Sequence, residues 1–490
     1  MRTDVSGEPV AGTATWHAPN RVIRVPEPTA SEPDADVTLA GGSEGATDVA
    51  VGRRRRSRPQ RAPAPASERT CDVLVVGGGP AGSSCAYWLA QAGHEVVVVE
   101  KKHFPRVKTC GDGLTPRAVR QLEDMGLGGA LAGQHRIAGL RAVAFGKTIE
   151  MAWPDHPLFP PTGYVVTRHD LDQLVAERAQ QAGATLLQGT EATQPLDDGA
   201  PVAAGDGSRL PPCNGAIVRD ASTGATSEIR ARYVVVADGA ASRFGWALGT
   251  ARDRAMPLGM ALRGYYRSPL HDDPWMESHL DIRDAEGRVI PGYGWIFPVG
   301  DGRVNVGVGI LTTSRRWKGA NTSRLMDAFV AQASPSWGIS PETSCGPPTG
   351  GKLPMGLAVG PRSGPTTLVA GDAAGTTNPF NGEGISYAYE TGRLAADVLH
   401  EALGPGGPGA LASFDTRLDE AYGLYYKVAR GFVHVIANPQ VMRTLASTGM
   451  HSRTVMEWTL RIMANLLRPD ETGPAEAAYK AVAAVARVAG

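Results

Sequence analysis

Gly77, Gly79 and Gly82, within Gly77-Gly78-Gly79-Pro80-Ala81-Gly82, stand at the spacing GxGxxG. The first glycine permits a tight turn, the second lets backbone approach a pyrophosphate, and the third brings a helix close to a strand. Phosphate oxygens then meet free N–H groups at the positive end of that helix. Glu100 follows at roughly the 20-residue offset at which an acid accepts a ribose hydroxyl, and an acid there disfavours a 2′-phosphate. The elements that must hold these residues are legible around them. Residues 73–76 are an apolar run that reads as a buried strand, and Ala81, Cys85, Trp88, Leu89 and Ala92 recur at helical spacing. Gly93 stops the helix, and residues 95–99 make a second strand that delivers Glu100. Strand, turn, helix, strand and acid in that order predict a dinucleotide site rather than a merely structural glycine turn. NAD and FAD are not distinguished at this position.

A similar arrangement returns late in the chain. Residues 367–370 read as a strand leading to Gly371-Asp372, and Gly384-Ile385 opens a helix with Ile385, Ala388, Gly392, Ala395 and Leu399 inward. An acid at the strand end can take hydroxyls, while the helix amino terminus takes negative charge. Two nucleotide-type contacts so far apart exceed what one unit needs for a nicotinamide cofactor, whereas FAD is long enough to use both. Between them, Cys110-Gly111-Asp112-Gly113 has glycines on both sides of a charge, as where backbone presses on a ligand. Cys110 is either a packing residue or a thiol facing a cofactor ring. Thr115-Pro116 can start a helix, and Thr167-Arg168 opens a capped one. Residues 191–231 read as an antiparallel meander, 233–238 as a buried parallel strand ending in Asp238-Gly239, and 251–349 as a mainly antiparallel sheet. Inside that sheet Tyr293, Trp295 and Phe297 alternate, so a strand projects them from one face. A core stripe is the bland meaning; the surrounding Gly and Pro favour a ligand surface.

The chain has 490 residues, more than one core usually supports, and 49 basic against 49 acidic residues, which removes the electrostatic case for nucleic acid. Its five cysteines form neither a disulfide framework nor a CxxC pair, which suits a reducing compartment. The histidines do not cluster at ligand spacing, so no metal site is expected. Residues 1–69, rich in Pro, Ala and Arg, are predicted to be a disordered tail. Its basic run at 53–58 could touch anionic lipid or be a solvated linker, and the GxSxG at 41–45 lacks a nucleophile elbow. No secretory signal is evident at the amino terminus. From about Leu411 the pattern is helical, with Leu424, Val428, Phe432 and Val435 on one face and Val455, Trp458, Ile462 and Leu466 on another. Core packing is the default for these faces. No run approaches the roughly 20 apolar residues of a membrane span, so membrane contact would be interfacial.

Taken together, the GGGPAG turn, Asp238-Gly239 and Gly371-Asp372 resemble the flavoprotein hydroxylase superfamily. Within it, the stretches at 104–114, 293–298 and 371–385 resemble the geranylgeranyl reductase family, over about residues 70–403, and those at 110–119 and 292–298 resemble the branch of that family acting on menaquinone in actinobacteria. The resemblance implies an α/β (α+β overall) architecture: a Rossmann-like FAD-binding domain at 70–139, 164–250 and 350–403, an antiparallel-sheet substrate domain at 140–163 and 251–349, and a helical region at 404–490. It implies that Gly77, Gly78, Gly79, Pro80, Ala81 and Gly82 bind the ADP half of FAD and Glu100 its ribose. Cys110, Gly111, Asp112, Gly113 and Arg168 would lie against the cofactor, Asp372 on the ribityl chain, and Gly384 and Ile385 at the pyrimidine edge. Tyr293, Trp295, Phe297 and Pro298 would bind substrate. The arginine-rich tail departs from the family pattern.

The activity implied is saturation of a carbon–carbon double bond in an isoprenoid lipid, with electrons from an external donor such as NAD(P)H or ferredoxin. An isolated alkene has no carbonyl to stabilise an anion, so the protein must fix it in a dry channel for hydride and proton delivery. Cys110 and Tyr293 are the sequence's candidates for the proton source, with a bound water as the alternative. The expected location is cytoplasmic, peripheral on the inner face of the membrane. An aromatic hydroxylase of the same superfamily, or a non-catalytic flavoprotein, are the competing readings.

Overall fold

The computed structural model describes residues 15–18, 21–24, 68–198, 200–201, 209–290, 292–311, 321–436, 439–468 and 471–488. It separates into two units, Met1–Ala66 and Ser67–Gly490. Of the first, a hairpin pairing Thr15–Ala18 with Arg21–Arg24 is described; the basic run at 53–58 and the GxSxG at 41–45 lie outside the described residues. The second unit carries the predicted sites.

Its main elements, in chain order, are β1 (Glu68–Val76), α1 (Pro80–Gln91), β2 (Val96–Glu100), α2 (Pro116–Asp124), β3 (Gly139–Ala144), β4 (Lys147–Ala152), α3 (Arg168–Gln181), β5 (Thr185–Gln188), β6 (Thr190–Asp197), β7 (Gly215–Asp220), β8 (Thr226–Val236), β9 (Leu258–Arg267), β10 (Trp275–His279), β11 (Gly292–Pro298), β12 (Arg303–Leu311), α4 (Thr322–Trp337), β13 (Thr349–Pro354), β14 (Thr367–Val369), α5 (Ile385–Leu403), α6 (Leu424–Ile436), α7 (Arg453–Met463) and α8 (Pro474–Val488). The first sheet runs β5-β2-β1-β8-β7-β6, with β14 also against β8. β1, β2, β5, β8 and β14 are parallel neighbours, and the apolar residues of β1, β2, β14 and the end of β8 are buried on both faces, as parallel strands covered by helices must be, while those of the edge strand β5 are half-buried.

The last strand of the predicted meander runs without a break into the predicted parallel strand, and the two form one element, β8. Its first half pairs antiparallel with β7, and its last residues, Val234–Val236, pair parallel with Thr367–Val369. The second sheet runs β13-β9-β12-β11-β10-β3-β4 and is antiparallel except where β10 lies parallel to β3. The domain boundary drawn at 349/350 falls inside β13, which pairs with β9 and so belongs to this sheet. Helix α4 covers one face through Leu325, Met326, Phe329 and Val330, packed on Ile296, Val304, Val306 and Val308. The other face is left to carry the ring-bearing side chains.

The carboxyl-terminal helices differ from the sequence reading in one face. Met456 and Leu460 are the buried positions of α7, while Val455 is 42% exposed. The helix docks on a cluster containing Met151, Trp153 and Met450, and that surface selects a stripe about one position away from the predicted one.

Candidate active site

The glycine turn has the geometry the spacing requires. Gly77 has φ +104°, and a Cβ there would lie 2.5 Å from the Ala237 carbonyl oxygen; one at Gly82 would lie 1.9 Å from the Gly77 carbonyl oxygen. Helix α1 starts at Pro80 with Gly79 as N-cap and no side-chain cap, so its first N–H groups are free to receive an anion. Ala81 is turned inward: Gly371 and Gly392 both pack against it, each without room for a Cβ. The Glu100 carboxylate accepts from the Gly78 N–H (3.1 Å) and the Lys102 N–H (3.1 Å), and Arg106 lies 3.5 Å away. Arg106 also pairs with Asp172 at 3.0 Å, and Arg168 grips the same Asp172 through two bonds of 2.6 and 2.7 Å. Arg168, predicted to lie against the cofactor, thus has its guanidinium fork taken up by a neighbouring acid, while the Asp372 carboxylate accepts from the Thr377 hydroxyl at 3.3 Å.

The loop at 110–113 is fixed from below. Asp112 is fully buried with φ +65°, a conformation costly for a residue with a side chain. Its carboxylate accepts from the Arg168 N–H (3.2 Å), the Asn305 amide (2.7 Å) and the Tyr265 hydroxyl. Burial pushes this acid up, and Tyr265, Arg263 and Asn305 hold it down. The side chain therefore anchors the loop to β9 and β12, and what remains for a ligand is the backbone of Gly111 and Gly113. Asn305 also donates to the Cys110 carbonyl at 2.9 Å. Burial pushes the Cys110 thiol up against the opposing pull of Arg168.

Tyr293, Trp295 and Phe297 share one face of β11, with ring centroids 5.7 and 6.4 Å apart. Pro298 falls on the opposite face by strand alternation and is buried. Trp295 lies directly across from Gly307 and Tyr293 across from Gly309. A Cβ on Gly307 would lie 2.1 Å from the indole, so that glycine is what lets the ring lie down on the sheet. The indole N–H donates to Asn305 at 3.0 Å. Phe297 stands against Gly111 and Gly113, whose Cβ positions lie 3.1 and 3.2 Å from its ring. At the other end, the Tyr293 hydroxyl donates to the Asn381 carbonyl at 2.8 Å, directly before Gly382-Glu383-Gly384. The stretches at 110–113, 293–297 and 381–385 thus converge on one surface.

Sequence reasoning missed Tyr265, Asn305, Gly307 and Glu383. Glu383 accepts from Thr115 (2.5 Å) and Ser386 (2.7 Å) through Oε1, while its Oε2 is buried with no partner among the described residues. Burial pushes this acid up; Thr115 and Ser386 pull it down. Behind it, Arg117 and Glu390 form a buried pair at 2.6 Å, joined by the Tyr422 hydroxyl at 2.8 Å. The only sequence signal for Glu383 was its position between two glycines at a helix start. These residues fit a long dinucleotide such as FAD: α1 opens with an uncapped end, Glu100 stands at the end of β2, and Asp238 follows β8 with one carboxylate oxygen buried and without a partner among the described residues.

A family model described as an FAD binding domain matches residues 70–264, and one described as the geranylgeranyl reductase catalytic domain matches residues 287–340. The menaquinone reductase of Mycolicibacterium smegmatis is 39% identical over 400 residues, covering 82% of this chain and 93% of that protein. The menaquinone reductase of Mycobacterium tuberculosis is 40% identical over 403 residues, with the same coverages of 82% and 93%. Digeranylgeranylglycerophospholipid reductase 2 of Methanosphaera stadtmanae is 31% identical over 371 residues, 73% of this chain and 85% of that one. Among solved structures, a geranylgeranyl bacteriochlorophyll reductase-like protein of Thermoplasma acidophilum superposes with a TM-score of 0.67 at 21% identity, covering 85% of this chain and all of that one, a likeness of fold.

Proposed function

This chain belongs to the geranylgeranyl reductase family of FAD-dependent oxidoreductases, and from that premise we propose that its lipid is a menaquinone, one isoprene unit of whose side chain it saturates. It is an FAD-dependent reductase of carbon–carbon double bonds in isoprenoid chains. The choice of menaquinone is supported by the higher identity to menaquinone reductases than to the archaeal phospholipid reductase.

FAD, once reduced, supplies hydride equivalents at its ring. The protein's own residues do the rest. The free N–H groups at the start of α1 take the pyrophosphate, Glu100 the ribose and Asp372 the ribityl hydroxyls. The start of α5, a long helix, places positive potential at Gly384-Ile385, which would stabilise negative charge on a reduced ring held there. Tyr293, Trp295 and Phe297 bind the prenyl chain flat, exclude water and fix one double bond, which is most of what such a reaction needs from a protein. The observation that carries this reading is the contact of the aromatic wall with Gly111 and Gly113 at one end and with Asn381 at the other.

The electron donor is external. The protein works as a peripheral protein on the inner face of the membrane. In support, no described helix is long and apolar enough to cross a bilayer, while Leu445, Val455, Val482 and Val485 of the carboxyl-terminal helices face outward. The test is anaerobic mixing of the pre-reduced holoenzyme with menaquinone or with geranylgeranyl lipids. Reoxidation of the flavin with a two-hydrogen mass gain in menaquinone is the expected result; reoxidation only by geranylgeranyl lipids, or only by oxygen, overturns the assignment.

A further inference from the structure

Saturating an alkene requires a proton as well as a hydride, and neither side chain nominated by the sequence is well placed to give one. The Tyr293 hydroxyl is already donated to the Asn381 carbonyl, and burial drives its acidity far below that of a free phenol. The Cys110 thiol lies beside Arg168, which favours the anion once the proton leaves, but burial opposes that loss and dominates.

Glu383 differs in geometry. It sits in the two-residue gap between Asn381, which anchors the aromatic wall, and Gly384, the N-cap of α5. One carboxyl oxygen receives both local donors, Thr115 and Ser386, and the other is buried with no partner among the described residues. Burying the carboxylate with one bare oxygen costs more than burying the neutral acid, whose own O–H lacks a partner but carries no charge. Once the proton has gone, the two hydroxyl donors and the positive end of α5 stabilise the anion, so the acid can be used and reloaded. The charged and titratable groups facing it are Arg117 from α2, Glu390 and Tyr387 from α5, Tyr425 from α6, and Asp372 across Gly384.

We propose that Glu383 is the acid that donates the proton accompanying hydride transfer to the prenyl double bond. The inference rests on the isoprenoid-reductase reading above. One alkene carbon takes the hydride; its neighbour takes the proton from the Glu383 carboxyl group. The O–H electron pair stays on the oxygen, leaving a carboxylate that is recharged from water. The two electrons come from the reduced cofactor, so the sum is one hydride and one proton added across one double bond.

The test uses the FAD-loaded full chain. Infrared difference spectra of wild type against Glu383→Gln report directly whether Glu383 holds a proton at neutral pH, independently of turnover. A protonated-carboxyl band in wild type that is missing from E383Q is expected; an ionised Glu383 overturns the proposal by itself, even if menaquinone proves to be the wrong lipid. In anaerobic single turnover of the pre-reduced enzyme, E383Q should bind FAD and lose on the order of 10²-fold or more in rate, the usual contribution of general acid catalysis. The wild-type rate should fall as pH rises through the Glu383 titration. Thr115→Val, which removes a donor that favours the anion, should move that limb to higher pH. A rate in E383Q within threefold of wild type, or a limb that T115V leaves in place, refutes it. If E383Q fails to fold, the infrared titration of wild type and the T115V shift still decide.

Discussion

Gly307→Ala puts a methyl group where the Trp295 indole lies. The new Cβ would sit 2.1, 2.4 and 2.5 Å from three ring atoms, while the backbone at this position has no need of a left-handed conformation. The whole effect therefore falls on the ring. Overpacking of this kind costs about 1–3 kcal/mol, and lifting the indole off the sheet breaks its bond to Asn305 and leaves a buried amide oxygen unpaired, at a further ~1–2 kcal/mol. The total is about 2–5 kcal/mol. At about 2.1 cal/mol/K of unfolding entropy per residue, a fold of this length loses only about 1 °C per kcal/mol, so Tm should drop by about 2–5 °C. The catalytic effect should be larger. A reacting bond displaced by about 1 Å can lose on the order of 10²-fold in rate, and Trp295 is the central ring of the wall. The assay is steady-state reduction of menaquinone by the FAD-loaded variant, with flavin content and tryptophan emission measured on the same sample. A fall of about 10- to 100-fold in kcat/KM with full FAD occupancy is expected, because the phosphate-binding turn lies in the other sheet. Turnover within twofold of wild type alongside an unshifted tryptophan spectrum would refute the role given to that ring; so would loss of FAD as the first defect.

Arg117→Met should cost about 3–5 kcal/mol in urea unfolding, because it leaves Glu390 buried with only the Tyr422 hydroxyl, and adding Glu390→Met should recover part of the loss; a double variant worse than the single one refutes this. Asp397 of α5 is pushed up to about 6 by burial, with Arg393 and Arg417 opposing. Since its folded pKa exceeds its unfolded value of about 3.9, stability present below about pH 4 is lost as pH rises towards 6. After discounting for partial exposure, about 1–2 kcal/mol is involved. Asp397→Asn should therefore raise Tm near neutral pH, and the gain should vanish near pH 4; a gain independent of pH would rule the mechanism out.

What the sequence disclosed was local. The turn at 77–82 is written in consecutive glycines whose demands involve only nearby backbone, and the alternation of Tyr293, Trp295 and Phe297 sets their common face without reference to any other strand. Pro298 fails by that same alternation, having been included as part of a motif rather than by its parity. What stayed hidden depends on pairing. Gly307 matters because the register of β11 and β12 sets it under Trp295, and nothing in its own neighbourhood announces a ring above it. Asp112 reads as a ligand-facing acid from its flanking glycines, yet Tyr265 and Asn305 reach it from strands far along the chain. Glu383 was invisible for a related reason: an orphaned oxygen is a statement about everything packed around it. In α7 the apolar residues allowed two neighbouring stripes, and the docking surface of Met151 and Trp153 chose between them.

The seating of α1 on α5, with Ala81 wedged against Gly371 and Gly392, has a temporal consequence. On the ribosome the phosphate-binding turn emerges early, but the helix that backs it is translated only after both sheets have been made. A nascent chain thus displays an unfinished apolar cleft for most of its synthesis, inviting chaperones to hold it. Messages truncated before Leu403 should yield insoluble, colourless product, while the finished polypeptide closes the cleft in one late docking event.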